Sequence, residues 1–221
     1  MDVVVAMLPL ALVVGLSPLP VMPAVLLLMT PRPGASCTAY LLGWLAALTA
    51  LVSLAVLLGR ATDPEPVPEE GVGWVQVVTG VAFLAMAGVK WLRRPAPEQA
   101  KEPPKWRSAL GTYTPRQSAR LGAALAGANP KNLVLALAAG AEIAVFVDEP
   151  GARLVGVAAF VLVGSIGVAT PMAAALVLGA RAEPMLSRVD SWLSRHGTAL
   201  TVVVLVVLGV LLVVKGLPLR S

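Results

Sequence analysis

The sequence predicts an all-α polytopic membrane protein, with six transmembrane helices that form two inverted three-helix repeats. Three observations predict this class. Of the 221 residues, 57% are hydrophobic and 13% are charged, whereas soluble domains are about 45–50% apolar and about 25% charged. Six apolar stretches are long enough to cross a bilayer, and none shows the alternating pattern of a β-barrel strand. Prolines interrupt the first and the fourth stretch, so these two helices are predicted to be broken.

The elements follow in chain order. The first three-helix repeat is expected at 1–94, a cytoplasmic linker at 95–117, and the second repeat at 118–221. The predicted transmembrane helices (TM) are TM1 at 3–29, TM2 at 38–59, TM3 at 72–91, TM4 at 121–147, TM5 at 154–179 and TM6 at 198–216. Because each repeat holds three helices, the second must run with the opposite orientation to the first. The linker is rich in proline and charge, which favours disorder.

Residues 184–195, between TM5 and TM6, carry apolar side chains on one helical face and polar side chains on the other. This pattern predicts an amphipathic helix on the inner membrane surface. A polar loop anchored by Trp192 is the alternative. Trp44 and Trp91 lie near predicted span ends, where tryptophan serves as an interface anchor.

The distribution of charge predicts the orientation. With the N-terminus outside, twelve of the 17 lysines and arginines fall in inner segments, and residues 63–71 form an acidic outer loop. Inner segments are expected to be the basic ones, so both termini are predicted on the outer side of the plasma membrane. The first apolar run lacks a basic leader and is too long for a signal peptide, so we expect it to be retained as TM1.

Composition also bears on function classes. The net charge of +5 and the pI near 9.9 are interpreted as the basic bias of inner loops, and no nucleic-acid partner is expected. The single cysteine, Cys37, excludes an intramolecular disulfide, and the single histidine, His196, excludes a multi-histidine metal site. No catalytic triad, paired carboxylates or phosphate-binding glycine loop is evident. We therefore expect no enzyme activity, no catalytic residues, no metal and no cofactor.

The most informative segment is Asn129-Pro130-Lys131-Asn132 in TM4. Lys131 lies about 15 Å in from Leu121, near the middle of a hydrocarbon core about 30 Å thick. A lysine at that depth costs about 2.5–3.5 kcal/mol, and its default interpretation is functional. Pro130 removes a backbone donor, so the helix must kink or break there. Snorkelling of Lys131 to the inner interface is the alternative.

The corresponding place in TM1 reads Ser17-Pro18-Leu19-Pro20. Paired helix breaks at matching positions of inverted repeats are the best sequence indication of a transporter's binding site. The predicted substrate-binding residues are Ser17, Pro18, Pro20, Asn129, Pro130, Lys131 and Asn132. Alternatively the prolines are packing kinks, and Ser17, Asn129 and Asn132 satisfy the carbonyls that the kinks release. Thr170-Pro171 in TM5 is interpreted as a simple kink.

Several segments resemble a known family, and the similarity extends over most of the chain. They are Thr30-Pro31-Arg32-Pro33 leading to Tyr40-Leu41-Leu42-Gly43-Trp44, and Leu121-Gly122 through Asn129-Pro130-Lys131-Asn132-Leu133 to Ala138-Ala139-Gly140. They resemble the GAP family, the glycolipid- and sulfolipid-addressing membrane proteins of mycobacteria and related actinobacteria, within the lysine-exporter (LysE) superfamily. The resemblance implies transport of a glycolipid or related lipid precursor from the inner toward the outer leaflet of the cell envelope. It also implies a possible homodimer.

The residue chemistry favours an anionic cargo. An exporter of basic amino acids needs carboxylates at its midplane, and this sequence has none there, whereas a buried ammonium beside asparagine amides suits a phosphate or sulfate. The first hypothesis is therefore a transporter of a lipid with an anionic headgroup. The alternatives are a LysE-type exporter of a small metabolite or amino acid, and a non-transporting accessory subunit of a larger lipid-export machinery.

Overall fold

A computed structural model describes residues 3–30, 33–61, 69–93 and 110–217. Predictions that fall on residues 62–68 and 94–109, which hold most of the acidic loop and of the linker, lie outside these ranges. Within them the chain is helical and contains no β-strand. The helices are α1 Val3–Gly15, α2 Pro18–Leu28, α3 Pro33–Ala61, α4 Glu69–Leu92, α5 Pro115–Gly127, α6 Pro130–Phe146, α7 Pro150–Gly164, α8 Ile166–Leu178 and α9 Ala182–Gly216. Short 3₁₀ turns cover Leu110–Thr112 and Gly179–Arg181.

Proline defines many of the helix starts. The helices α2, α3, α5, α6 and α7 each begin on a proline. The first helical position suits proline, because its N–H would have no intrahelical partner and its fixed φ is already helical. At α5 the start is reinforced by a capping box, in which the Thr114 side chain accepts from the Gln117 N–H while the Gln117 side chain accepts from the Thr114 N–H.

Apolar helices indicate a membrane protein. By length and composition, α3 and α9 could each cross a bilayer. Two bent pairs could add a span each: α1 with α2, bent by 47°, and α7 with α8, bent by 64°. The structure thus gives two to four candidate spans among the described residues, and the six-span inverted repeat stays a prediction. The helices α5 and α6 have 13 and 17 residues, each short of the roughly 20 that a straight span needs.

The chain divides into two compact units. The first comprises Met1–Asp63 and Pro103–Ser194, and the second comprises Pro64–Glu102 and Arg195–Ser221. In the second unit Gly80 of α4 faces Gly209 of α9, and a Cβ on Gly80 would come within 2.6 Å of the Gly209 carbonyl oxygen. Small residues permit this close approach of two helices.

The first unit is built around α3, which packs against α5 and α6. The inner face of α3 carries a row of four side chains, each about one helical turn from the next. They are Tyr40, Trp44, Leu48 and Val52, and all four are fully buried. The prediction that Trp44 is an interface anchor is therefore wrong. Its indole lies in the core because this face of α3 meets the other helices of the unit. Trp91, the other tryptophan placed near a predicted span end, is 45% exposed.

The last helix differs from its prediction. A separate surface helix at 184–195 followed by TM6 at 198–216 was expected, yet α9 runs from Ala182 to Gly216 without interruption. His196-Gly197 does not end the helix, because a single glycine costs only about 1 kcal/mol in a helix interior. The amphipathic segment is therefore the first part of a long helix.

Candidate functional site

The break between α1 and α2 leaves one backbone carbonyl in need of a donor. Helix ends lack partners for their last carbonyls, and Pro18 has no N–H to offer. The N–H of Ser17 turns to the carbonyl of Val14, at 3.3 Å. In an unbroken helix it would pair with the carbonyl of Val13. The Val13 oxygen is thus open to a donor from outside its own helix.

Lys131 provides that donor from the other half of the chain. Its Nζ donates a hydrogen bond of 2.5 Å to the Val13 carbonyl oxygen. The Lys131 side chain is only 6% exposed, so the ammonium is enclosed by the protein. The carboxyl end of a helix carries partial negative charge, which favours a cation. This contact joins the end of α1, at the first helix break, to the start of α6, at the second.

The break between α5 and α6 is held by its two asparagines. The Ala126 carbonyl would pair with an N–H at position 130, which Pro130 lacks. The Nδ2 group of Asn132 lies 3.4 Å from that carbonyl. Asn129 caps α6, because its Oδ1 accepts from the Lys131 N–H at 3.1 Å. Asn132 thus has the structural role that the alternative interpretation of the sequence expected, because it donates to a released carbonyl. Asn129 also has a structural role, but it accepts from an N–H and caps the helix.

A third break separates α7 from α8 at Ser165. The Ser165 hydroxyl donates to the Val161 carbonyl at 2.6 Å and accepts from Trp44 Nε1 at 3.1 Å. Gly167 lies directly against the carbonyl oxygen of Gly15 in α1, so that a Cβ at position 167 would overlap it. The third break is therefore packed beside the first one.

This break was not predicted from the sequence, and only a kink was expected at Thr170-Pro171. Pro171 stays inside α8, and the Thr170 hydroxyl bonds the Ile166 carbonyl at 2.6 Å. The signal that could have found the break is the group of small residues Gly164, Ser165 and Gly167, because small residues let helix backbones approach closely.

Tyr40 ties α3 to the start of α2. Its hydroxyl donates a 2.7 Å hydrogen bond to the Pro20 carbonyl, and the side chain is fully buried. We expect Tyr40→Phe to destabilise the protein by about 1 kcal/mol, since it removes one buried hydrogen bond and leaves the ring in place. The measurement is the melting temperature of the detergent-purified protein, with Tyr113→Phe, at a half-buried position, as the control. Equal melting temperatures for wild type and Tyr40→Phe would contradict this role.

The predicted site residues gather in one region to different degrees. Lys131 reaches the turn of α1 that precedes Ser17, and Ser17, Pro18 and Pro20 are buried in the α2 start. The Ser17 side chain makes no capping hydrogen bond. Their role in binding a substrate stays a prediction. Sequence reasoning missed Tyr40, Trp44 and Ser165, which connect α3 with the first and third breaks.

One polar atom in this region has no partner. The Oδ1 of Asn132 is fully buried and makes no hydrogen bond among the described residues. Over the part of the chain that the structure describes, no three His, Cys, Asp or Glu side chains are grouped so as to hold a metal ion. The chemistry available around Lys131 is thus that of one ammonium among amide and carbonyl dipoles.

The comparisons with known proteins give one match. A family model described as Sap, sulfolipid-1-addressing protein, matches residues 7–218. No curated protein matches the chain significantly, and no solved structure does. The family match covers nearly the whole chain and includes all three helix breaks, so the family resemblance read from the sequence is confirmed. Membership of the LysE superfamily stays a prediction.

Proposed function

Because this chain belongs to the family of Sap, the sulfolipid-1-addressing protein, we propose that it is a transporter that moves a lipid or glycolipid precursor toward the outer leaflet. Family membership suggests a role in sulfolipid or glycolipid localisation. The proposal adds a mechanism: an anionic headgroup binds at the midplane, between the broken helices α1–α2 and α5–α6.

The observation that carries this proposal is the contact between Lys131 and Val13. A buried ammonium is costly unless a partner compensates it, and its partner here is a helix-end carbonyl, which carries only about half a unit charge at most. A phosphate or sulfate offers a full charge and several acceptor oxygens, which makes a stronger, charge-assisted contact. An anionic headgroup is therefore a better partner for Lys131 than the carbonyl that it now holds.

This exchange suggests how binding could be coupled to movement. With Lys131 on Val13, the ammonium is 6% exposed and closed to ligands. When a headgroup takes the ammonium, the carboxyl end of α1 loses its cation and is free to separate from α6. The hinge for this motion is the break at Ser17-Pro18, where no helical hydrogen bond has to be disrupted. Asn129 and Asn132 keep the α5–α6 break in shape meanwhile.

The contacts described for Lys131 also bear on the alternatives. The Lys131 ammonium contacts a backbone carbonyl, and its backbone N–H contacts the side-chain oxygen of Asn129. These groups would not select a basic amino acid as a pair of carboxylates would. A LysE-type exporter of an acidic metabolite would use the same ammonium. A non-transporting accessory subunit would not need it. These two remain the alternative functions, separated from lipid transport by the experiment below.

The proposal also covers the location, the cofactor requirement and the partners of the protein. We propose that it lies in the plasma membrane with both termini outside, acts without a cofactor and is not an enzyme. Its partners are the lipid substrate and the bilayer, and it works as a homodimer or with a larger lipid-export machinery.

The test is a leaflet-exchange assay. The purified full chain is reconstituted into phosphatidylcholine vesicles that contain phosphatidylglycerol or phosphatidylcholine with a nitrobenzoxadiazole dye on one acyl chain, and dithionite reports the label in the outer leaflet. We expect the protein to speed exchange of the anionic probe at least about tenfold more than that of the zwitterionic probe, as one charge-assisted contact of about 1.5–3 kcal/mol allows. Exchange at the rate of protein-free vesicles for both probes would refute lipid transport, and release of an entrapped small anion instead would favour the metabolite exporter.

A further inference from the structure

A second feature of the first unit does not involve Lys131. A groove of about 470 Å³ lies between α2 and the first part of α9. Its lining consists of Val21, Arg188, Val189, Trp192 and Leu193. The volume lies within the range of about 300–1,000 Å³ that is typical of small-molecule sites. The lining is apolar except for Arg188.

Packed side chains form the base of the groove. Val25 of α2 packs with Ala182 and Leu186 of α9, and all three side chains are buried. Val21 and Val189, which line the groove, pack against this same cluster. Two helices that are packed together in this way give a preformed surface, so a ligand does not have to separate them.

Arg188 gives the groove its charge. Residues three or four positions away on a helix share a face, and for Arg188 these positions hold Pro184, Met185, Ser191 and Trp192. None of them is acidic, so Arg188 has no intrahelical ion-pair partner at these spacings. Trp192, one turn later, is 51% exposed, and exposed tryptophan in membrane proteins marks the interfacial region. A guanidinium at the edge of an apolar groove therefore fits an anionic amphiphile.

We propose that this groove binds one anionic phospholipid of the surrounding membrane. One acyl chain lies along Val21, Val189 and Leu193, and the phosphate contacts the guanidinium of Arg188. A planar guanidinium suits phosphate because two of its N–H groups can donate to two oxygens at once. The Trp192 ring lies beside the glycerol region. This site shares no residue with the Lys131 region and does not depend on the proposed transport.

A second copy of the chain is a less suitable occupant. A two-fold dimer places the same surface of each copy against the other. Where the two-fold axis passes through the groove, Arg188 of each copy comes close to that of the other, with like charges in an apolar setting. A lipid phosphate instead supplies the opposite charge, and its acyl chain matches the apolar lining.

The experiment is native mass spectrometry of the full chain in detergent after incubation with 1-palmitoyl-2-oleoyl-phosphatidylglycerol or the matching phosphatidylcholine. We compare wild type, Arg188→Gln and Trp192→Ala. Arg116→Gln removes an exposed charge from α5, and Trp91→Ala removes a partly exposed ring from α4. These two variants are the matched controls.

We expect wild type to retain one phosphatidylglycerol in preference to phosphatidylcholine. Arg188→Gln should lower that occupancy about tenfold, as expected for one lost guanidinium–phosphate contact, and Trp192→Ala should lower retention of both lipids. Both controls should bind as wild type does. Lys131→Met should also keep this lipid, so that failure of the transport proposal would leave this result unchanged.

Three outcomes would overturn the proposal. Equal retention by Arg188→Gln and wild type would show that the arginine does not hold the headgroup. An equal loss in Arg116→Gln would show general surface charge rather than a site. Dimers that dissociate in Trp192→Ala while lipid adducts stay unchanged would show that a second copy covers the groove.

Discussion

Replacing Lys131 with methionine should slow leaflet exchange of the anionic probe by about 10- to 100-fold. Methionine is unbranched and flexible, so it can fill much of the space of the lysine stem, but it has neither the charge nor the donor. The variant loses a charge-assisted contact to the headgroup of about 1.5–3 kcal/mol, which corresponds to about a 10- to 100-fold loss of affinity. The measurement is the dithionite assay with labelled phosphatidylglycerol.

The same substitution should change stability little. It removes a buried ammonium, whose burial costs about 2.5–3.5 kcal/mol. It also leaves the Val13 carbonyl without its donor, at a cost of about 1–3 kcal/mol. These two effects have opposite signs and similar size, so the melting temperature should stay close to that of wild type. Loss of exchange in a protein of normal stability identifies Lys131 as a functional residue.

Two further variants serve as comparisons for the Lys131→Met result. Lys90→Met removes an exposed lysine from the last turn of α4 and should leave exchange unchanged. Lys131→Arg keeps the charge but replaces a compact ammonium with a larger planar group, so it should retain part of the activity. If Lys131→Met exchanges the lipid as fast as wild type, Lys131 is not the headgroup ligand and the accessory-subunit interpretation takes precedence.

Gly122→Ala should prevent stable folding. In α5 a Cβ on Gly122 would overlap the backbone carbonyl oxygen of Tyr40 in α3, and Gly43 in α3 faces Ala119 of α5 in the same way. A backbone atom cannot rotate aside as a side chain can, so the two helices must separate. Overpacking usually costs about 1–3 kcal/mol, and we expect more here because the entire α3–α5 interface must open.

The effect should reach the first helix break. Tyr40, whose carbonyl meets Gly122, also holds the Pro20 carbonyl through its hydroxyl. Moving α3 away from α5 therefore disturbs the start of α2. We expect Gly122→Ala to yield little monodisperse protein by fluorescence-detected size-exclusion chromatography, with a melting temperature well below that of wild type.

Gly88→Ala is the matched control for this second prediction. It lies in α4, and a Cβ there meets nothing within 4 Å. Alanine is favoured over glycine in a helix by about 1 kcal/mol, so the control should be as stable as wild type or slightly more so. Normal yield and stability of Gly122→Ala would show that α3 and α5 do not pack this closely.

The sequence alone determined the features that depend on one residue's covalent structure. Proline has no N–H, which favours a helix break, and the structure confirms the breaks predicted at Pro18 and Pro130. The missing N–H does not by itself decide a break, since Pro171 lies inside α8. The prolines at the first positions of five helices act in the same local way. The Asn-Pro-Lys-Asn segment and the apolar spans also led to the family, which the match over residues 7–218 confirms.

Only the tertiary structure decided which of these features meet. The break at Ser165 has no proline, and it forms where Gly167 meets Gly15 and Trp44 bonds the serine hydroxyl. The partner of Lys131 is a backbone carbonyl 118 residues earlier, and every residue carries such a carbonyl. No sequence pattern marks Val13 for this role. Its oxygen becomes available because Ser17 turns its N–H elsewhere, and it is used because the packing of α1 on α6 brings the ammonium within reach.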